Sequence, residues 1–557
     1  MVDKPTVSIS EITFSGGQTY QMKANEKIIL VGPNNSGKSQ TLREIIEIVG
    51  SSTKKQHFVV KDLKLEKVGS SRDLQEFLDE EASLVGETYR FQDWNFHANF
   101  VRLWDQKMLT NGLAPGFFKK IDANDRLKIS EQQKSIGDKD PKSKPQHVLY
   151  DSEELMKRIS ELFRKAFGKE LMINFRGGSM IPIHVGNKPP ANLTNQVSDA
   201  YVQAVKANPL LDEQGDGMKS YAGILFEAVV ANLDVTLLDE PEAFLHPPQM
   251  RRLGETLAAE VAGQLIVATH SSDIMRGFLE GTKGNVRILR IRRDGEKNFV
   301  SEASSDAIQE LWARPVLRYS NALDGIFHEQ TILCEDDSDC RLINAMADHL
   351  AAGKEAQWLD TAYVPSGGKH GIPKIANVLR KIGVPIKAVF DMDLLSEGNL
   401  MEEAVRAFGG DWDELSAIWE RLDSAVRQGQ KPKTNAAIKA DIDALFEGVG
   451  DDGALPRGDI QEALKQNKPW NAVKRYGCDG FPNGDAQKNY LKLKKSLEEI
   501  GIYLVPVGET ENFCRELGSH GPKFVNRLLS DIPLDDPRLS KLRDFVKEVH
   551  QGAHSPI

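Results

Sequence analysis

The sequence is short of the features that would place it in a class at once. Among its 557 residues there are only four cysteines, Cys334, Cys340, Cys478 and Cys514. None stands in the C-x-x-C spacing of a zinc ribbon, and scattered thiols of this kind suit a reducing compartment. No apolar run approaches the roughly 18–20 residues needed to span a bilayer, so no membrane segment is expected. The opening "MVDKPTVSIS" has no apolar core of a secretory signal, and a cytoplasmic location is the expectation. Sustained heptads are missing, which excludes a long coiled-coil rod, and no internal repeat points to a solenoid. Positive charge is not in excess either: 71 Lys and Arg against 81 Asp and Glu leave a net charge of −10. That balance argues weakly against nucleic acid as a partner, and the argument fails where basic groups gather locally or carboxylates hold metals.

What is present is a soluble-globular composition, 40% hydrophobic and 27% charged, on a chain too long for one ordinary core. Two α/β domains are expected. The first covers 1–311 with an irregular, partly helical insertion at about 60–200. A linker follows at 312–328, and the second domain covers 329–557 with a helical insertion at about 400–490. Within the first insertion, "KKIDANDRLKISEQQKSIGDKDPKSKPQH" (119–147) is so polar and lysine-rich that it reads as a long loop or disordered arm.

The strongest motif is "VGPNNSGKSQ" (31–40), which fits G-x-x-x-x-G-K-[ST]. An apolar strand, "EKIILVGP", runs into it and a helix, "SQTLREIIEIVG", leaves it, the context such a loop needs. Backbone N–H groups of Gly32, Pro33, Asn34, Asn35, Ser36 and Gly37, Pro33 excepted for want of an N–H, would line a phosphate cradle. Lys38 would reach the β- and γ-phosphates of ATP and Ser39 would ligate Mg²⁺. Two more apolar strands end in polar residues. "VTLLDEPEAFLHP" places Asp239 to hold the Mg²⁺ shell and Glu240 to polarise the attacking water. "QLIVATHSSDIM" places His270 to sense the γ-phosphate.

These three motifs, in this order at strand ends, resemble an ABC-type ATPase head of the SMC and Rad-fifty style. The resemblance implies a signature helix before "LLDEP", where "GDGMKSYAGILFEAVV" (215–230) stands without the usual LSGGQ wording. Gly217 and Ser220 are its candidates for touching a nucleotide across a homodimer, and Gln92 in "YRFQDW" is the candidate for the glutamine loop.

The second half carries acids at strand ends. "TILCEDDSD" places Glu335 with Asp339 four residues on, and "AVFDMD" places Asp391 and Asp393 two apart, on one face of an extended chain. "GETENF" adds Glu511 and "HGPKF" adds Lys523. So many carboxylates would repel one another unless hard cations lay between them. With no Cys or His pair nearby, Mg²⁺ or Mn²⁺ is favoured over Zn²⁺.

A strand-end Glu followed by D-x-D resembles a TOPRIM domain. An ATPase head followed by TOPRIM resembles the overcoming-lysogenization-defect (OLD) family, which includes the Gabija nuclease subunit and retron effectors. The resemblance implies an ATP-regulated, metal-dependent DNA endonuclease in antiphage defence. Its partners would be DNA, further copies of the chain in a homodimer or higher homo-oligomer, and either a helicase subunit or a reverse transcriptase with its RNA–DNA product. Glu335, Asp391 and Asp393 would form the principal metal cluster, Asp339 and Glu511 a second position, and Lys523 would neutralise transition-state charge. One departure stands out: Asp336 follows the Glu where TOPRIM usually has Gly. It favours an alternative, a DNA-binding sensor or clamp with an inactive TOPRIM site. A topoisomerase would need a tyrosine nucleophile and DNA gates, and a primase a zinc ribbon. Basic candidates for a DNA surface are the 119–145 arm, "VRILRIRRDG" (286–295) and "KNYLKLKKS" (488–496).

Overall fold

A computed structural model of the chain describes residues 3–556 apart from 52–54, 93, 138–139, 314–320, 354–356, 430–433, 448–456 and 466–468. The chain divides into two compact units at Arg318 and Tyr319. The middle of the expected 312–328 joint lies outside the described residues. On its flanks, the helix Ser305–Ala313 ends the first unit and a 3₁₀ segment, Asn321–Phe327, opens the second. No helix among the described residues is long and apolar enough to cross a membrane.

The first unit is built on a six-stranded sheet. Its order is Lys297–Glu302, Arg287–Asp294, Lys27–Val31, Gln264–Ala268, Val235–Asp239 and Phe118–Ile121. The five strands from Arg287–Asp294 to Phe118–Ile121 are parallel, and Lys297–Glu302 closes the other edge as an antiparallel hairpin. Ile28 to Val31, Val235 to Leu238 and Leu265 to Ala268 are buried almost without exception, as expected of parallel strands covered on both faces. Because those three strands are parallel neighbours, their C-terminal ends open on one edge, where ligands of open α/β sheets bind. A separate antiparallel sheet joins Thr19–Gln21, Thr6–Phe14 and Val60–Val68.

The reading of 119–147 as a loop or arm is corrected. Phe118–Ile121 is an edge strand of the main sheet, paired in parallel with Val235–Leu238, and Ala123–Ile129 is a helix closed at its start by an Asp122 capping box. The sequence hid this because the strand carries charge inside. Lys119 Nζ lies 2.5 Å from the buried Glu227 carboxylate, and Lys120 Nζ lies 3.7 Å from Asp239. The stretch at 286–295 is likewise mostly an internal strand: Arg290 is buried, and Arg287 pairs with Glu302 and Glu26. In the 488–496 stretch, Lys494 is held by Glu498 and Glu548.

The second unit holds a four-stranded parallel sheet in the order Thr361–Pro365, Gln330–Cys334, Ile386–Phe390, Ile502–Leu504. Between its third and fourth strands in chain order the described residues are mainly helical, from Gly398–Ala407 to Asp485–Glu499. The final helix, Ser540–Gln551, buries Leu542, Phe545, Val546 and Val549 against the core. Its C-terminal carbonyls meet a buried lysine: Lys387 Nζ donates to Val549 O at 2.8 Å and His550 O at 2.7 Å. A cation there complements the negative end of the helix.

Candidate nucleotide and metal sites

The glycine loop adopts the shape its sequence requires. Gly32 and Gly37 have φ of 136° and 103°, a left-handed region closed to most side chains. A Cβ on Gly32 would lie 2.2 Å from Ile291 O. Lys38 opens the helix Lys38–Gly50 and folds back, donating to Gly32 O and Pro33 O at 2.8 Å each. Burial lowers its pKa to about 8, against the pull of Glu240, Glu242 and Asp239. Residues 34–39 line a cleft of about 720 Å³ that Glu240 and His270 also face. The structure thus brings together the loop, Glu240 and His270.

Asp239 ends its strand with Oδ1 buried and without a hydrogen-bond partner, an arrangement that suits a cation ligand. Its backbone is fixed from the stretch taken as an arm. Arg126, fully buried, donates Nη1 to Asp239 O at 3.0 Å and Nη2 to Glu240 O at 2.8 Å. Glu240 takes a left-handed φ of 45° there. Glu242, two residues on, accepts from His270 N–H at 2.6 Å and Thr269 Oγ1 at 2.8 Å. Its own pKa is raised, chiefly by burial. Burial and then Lys38 push His270 down to about 4, so its imidazole is neutral at pH 7. Arg126 and Glu242 were both missed as site residues. The second glutamate of "DEPE" was visible as a signal; Arg126 was hidden in a polar stretch misread as loop.

Three head candidates do not line this cleft. Ser220 is fully buried, and its hydroxyl faces Ala243 O at 3.4 Å. Helix Asp216–Ile224 turns that face inward. Gly217, half-buried in the first turn, lies close to Phe244 O. Gln92 lines a different cavity of about 290 Å³, against Phe91, Trp94 and Glu227.

In the second unit, parallel strands Gln330–Cys334 and Ile386–Phe390 deliver Glu335 and Asp391 side by side, and Asp391 N–H donates to Glu335 Oε1 at 3.3 Å. Thr510 Oγ1 donates to Asp339 Oδ1 at 2.9 Å and lies 3.4 Å from Glu511 Oε2, which ties the 509–511 loop to the cluster. Burial first, and then neighbouring carboxylates, raise Glu335 to about 7 and Asp339 to about 6, and hold Asp391 well above the carboxylate range. Asp393 goes the other way despite its burial, lowered by Lys474 and Lys369, each 3.1 Å away.

Lys523 is not one of those cations. It is exposed in the first turn of Pro522–Asp531, whereas Lys369 comes from "PSGGKHG" after the Thr361–Pro365 strand and Lys474 from the helical insertion. A lysine after two glycines at a strand end was a readable signal; Lys474 was not, because nothing local marks where an insertion returns.

Asp336 has a simple structural role. Its φ of −136° is extended backbone, so glycine is not required. Its Oδ1 accepts from Ser338 N at 2.7 Å and Asp339 N at 3.2 Å, and Asp336 N donates to Asp339 Oδ2 at 3.2 Å. This capping box starts helix Asp337–Ala352 and orients Asp339. Among the described residues, the acid and histidine group drawn within 4.8 Å of one another is Glu509, Glu511 and His520. The Glu335, Asp391 and Asp393 trio is not drawn that close, since Asp393 is turned onto its two lysines. Glu509 was missed although it lies in the same "GETENF" as Glu511. The donors are carboxylate oxygens with buried, mutually repelling charge, a set that fits hard divalent cations.

Comparison with known proteins agrees with both halves. Residues 193–276 match a family model described as an AAA domain (AbiEii toxin, Type IV TA system). Residues 326–393 match the overcoming lysogenization defect protein-like TOPRIM domain. An OLD nuclease of Thermus scotoductus is 28% identical over 240 residues, which cover 40% of this chain and 44% of that protein. The alignment thus spans less than half the length of that relative. Solved SMC head domains are also similar. The head from Thermotoga maritima is 15% identical, with 55% of this chain and 100% of that one covered and a TM-score of 0.29. One from Pyrococcus furiosus, bound to the C-terminal domain of ScpA, is 12% identical, with 56% and 99% covered and a TM-score of 0.33. The two family models match in the order expected from the motifs, an AAA-type ATPase domain and then an OLD-like TOPRIM domain.

Proposed function

We propose that this chain, an ATPase domain joined to an OLD-like TOPRIM domain, is an ATP-regulated, divalent-metal-dependent DNA endonuclease of antiphage defence. The observation that carries the reading is the meeting of Glu335 and Asp391, just past the ends of parallel strands, with Asp339 on the helix after Glu335. Burial and neighbouring carboxylates raise the pKa of all three, while Lys369 and Lys474 pair with Asp393. Glu335, Asp391 and Asp393 would hold one Mg²⁺ or Mn²⁺, and Asp339 with Glu511 a second. Such a pair, when bound, supplies an activated water and stabilises the leaving 3′-oxygen. The residues themselves position these ligands: Thr510 and the Asp336 cap orient Asp339, and Gly521 N–H, 2.7 Å from Glu511 Oε1, fixes Glu511. Lys369 and Lys474 hold positive charge beside Asp393.

In the head, Lys38 and the loop amides bind the ATP phosphates, Ser39 and Asp239 hold Mg²⁺, Glu240 orients water and neutral His270 contacts the γ-phosphate. Nucleotide-linked homodimerisation belongs to the same reading, as does a helicase or a reverse transcriptase with its RNA–DNA product as partner. The sensor or clamp alternative loses its main support, because the Asp336 carboxylate is engaged in capping. The test is cleavage of plasmid DNA by the purified chain with Mg²⁺, Mn²⁺, Zn²⁺ or chelator. Cutting is expected with either of the first two; cutting in chelator, or with zinc alone, contradicts the metal assignment.

A further inference from the structure

Phe58 is 62% exposed, yet it is held in place. Glu44, a buried carboxylate on the helix after the glycine loop, accepts the N–H groups of Phe58 at 2.8 Å, Val59 at 2.9 Å and Val60 at 2.7 Å. The next side chain packs on the loop itself: a Cβ on Gly37 would lie 2.9 Å from Val59 Cγ2. The backbone that carries the ring is therefore held on the wall of the cleft that contains the loop.

Besides the glycine loop with Lys38, that cleft is lined by Phe58 and by Arg293, Glu296 and Asn298 of the edge hairpin. The hairpin is tied to the loop as well, since Asn298 Nδ2 donates to Ser36 O at 2.5 Å. Covering a large apolar ring that stands in water with a flat apolar surface lowers the free energy. A phosphate offers no such surface, whereas a nucleobase does.

We propose that Phe58 is the base-stacking residue of the head, packing its ring on the base of the bound nucleoside triphosphate. Arg293 and Glu296, which line the same cleft, supply a donor and an acceptor. The inference rests on the nucleotide reading of the head, and it makes a part of that site out of a residue that no nucleotide motif contains.

Calorimetric titration with ATP, ADP and inorganic tripolyphosphate separates the two. Stacking on an aromatic ring predicts that Phe58→Ala weakens ATP and ADP about ten-fold or more while tripolyphosphate binds as to the wild type. Phe58→Trp should retain ATP affinity, and its indole fluorescence should be quenched by ATP but not by tripolyphosphate. Unchanged ATP affinity in Phe58→Ala overturns the proposal, as does an equal loss for tripolyphosphate, which would mean that the loop was damaged. A change confined to self-association assigns the ring to a second copy and also overturns it. If the wild type binds neither ATP nor tripolyphosphate, the reading of the head falls and the stacking role with it.

Discussion

Lys474 Nζ lies 3.1 Å from Asp393 Oδ2, although the two residues are 81 positions apart and a run of inserted helices separates them. The lysine occupies a carboxylate that the metal reading assigns to a cation. Metal loading then requires Asp393 to exchange one positive partner for another. Lys474→Gln should bind Mn²⁺ several-fold more tightly than the wild type in calorimetric titration without DNA. Weaker binding would mean that Lys474 builds the site instead of competing for it.

The raised pKa values make a statement about stability. Glu335, at about 7 in the folded chain, stands above its unfolded value. Its contribution is therefore fully present below the unfolded pKa and is lost as pH rises through about 7. In chelator, Glu335→Gln should be more stable than the wild type at pH 8, by about 1–3 kcal/mol. The difference should shrink toward pH 5 and vanish below the unfolded pKa. Mg²⁺ should reverse the order at pH 8, because only the wild type gains its ligand. Denaturant melts at the two pH values check this, and a gap that widens toward pH 5 would have the wrong sign.

Arg126 is expected to be worth more than its charge. Its guanidinium serves the carbonyls of Asp239 and Glu240 at once. Arg126→Ala strands both and leaves a cavity, which should lower unfolding free energy by about 2–4 kcal/mol and cut ATP turnover at least ten-fold. Arg126→Lys should rescue little, since one ammonium cannot reproduce the two-pronged contact. Wild-type turnover in either variant would remove Arg126 from the site.

The buried Lys387 joins the sheet to the last helix through two carbonyls. Lys387→Ala should destabilise the second unit by about 2–4 kcal/mol without changing ATP turnover. Loss of turnover at full foldedness would contradict the separation of roles.

The strands that end in Gly32, Asp239, His270, Glu335 and Asp391 were legible because each is a short apolar run stopped by a polar residue, a pattern forced by burial on both faces. Arg126 and the Phe118–Ile121 strand were not. There, charged side chains face internal partners, Glu227 and the Asp239 backbone, and polarity imitates a loop. Ser220 shows the converse: position before "LLDEP" fixes a helix but not which side of it turns outward. Lys474 depends on the return path of an insertion, which no local spacing encodes.

Dimerisation linked to nucleotide is the least local expectation. Glu240→Gln, which should bind ATP without turning it over, is expected to roughly double in mass by light scattering when ATP and Mg²⁺ are added. A constant monomer mass across protein concentrations would exclude the split-site arrangement.

The central claim is a division of labour: the head handles ATP, and the second unit cuts DNA under its control. Lys38 and Asp391 lie in different compact units, and phosphodiester hydrolysis is downhill without ATP. The head can then act only by biasing the nuclease through differential nucleotide affinity. DNA cleavage and phosphate release, measured side by side on Lys38→Ala and Asp391→Ala, test this most directly. Asp391→Ala should lose cleavage by at least a hundred-fold and keep ATP turnover within about two-fold. Lys38→Ala should lose turnover and change the nucleotide dependence of cutting, with the same metal preference. A folded Asp391→Ala that no longer hydrolyses ATP, or that cuts DNA at the wild-type rate, would contradict the account.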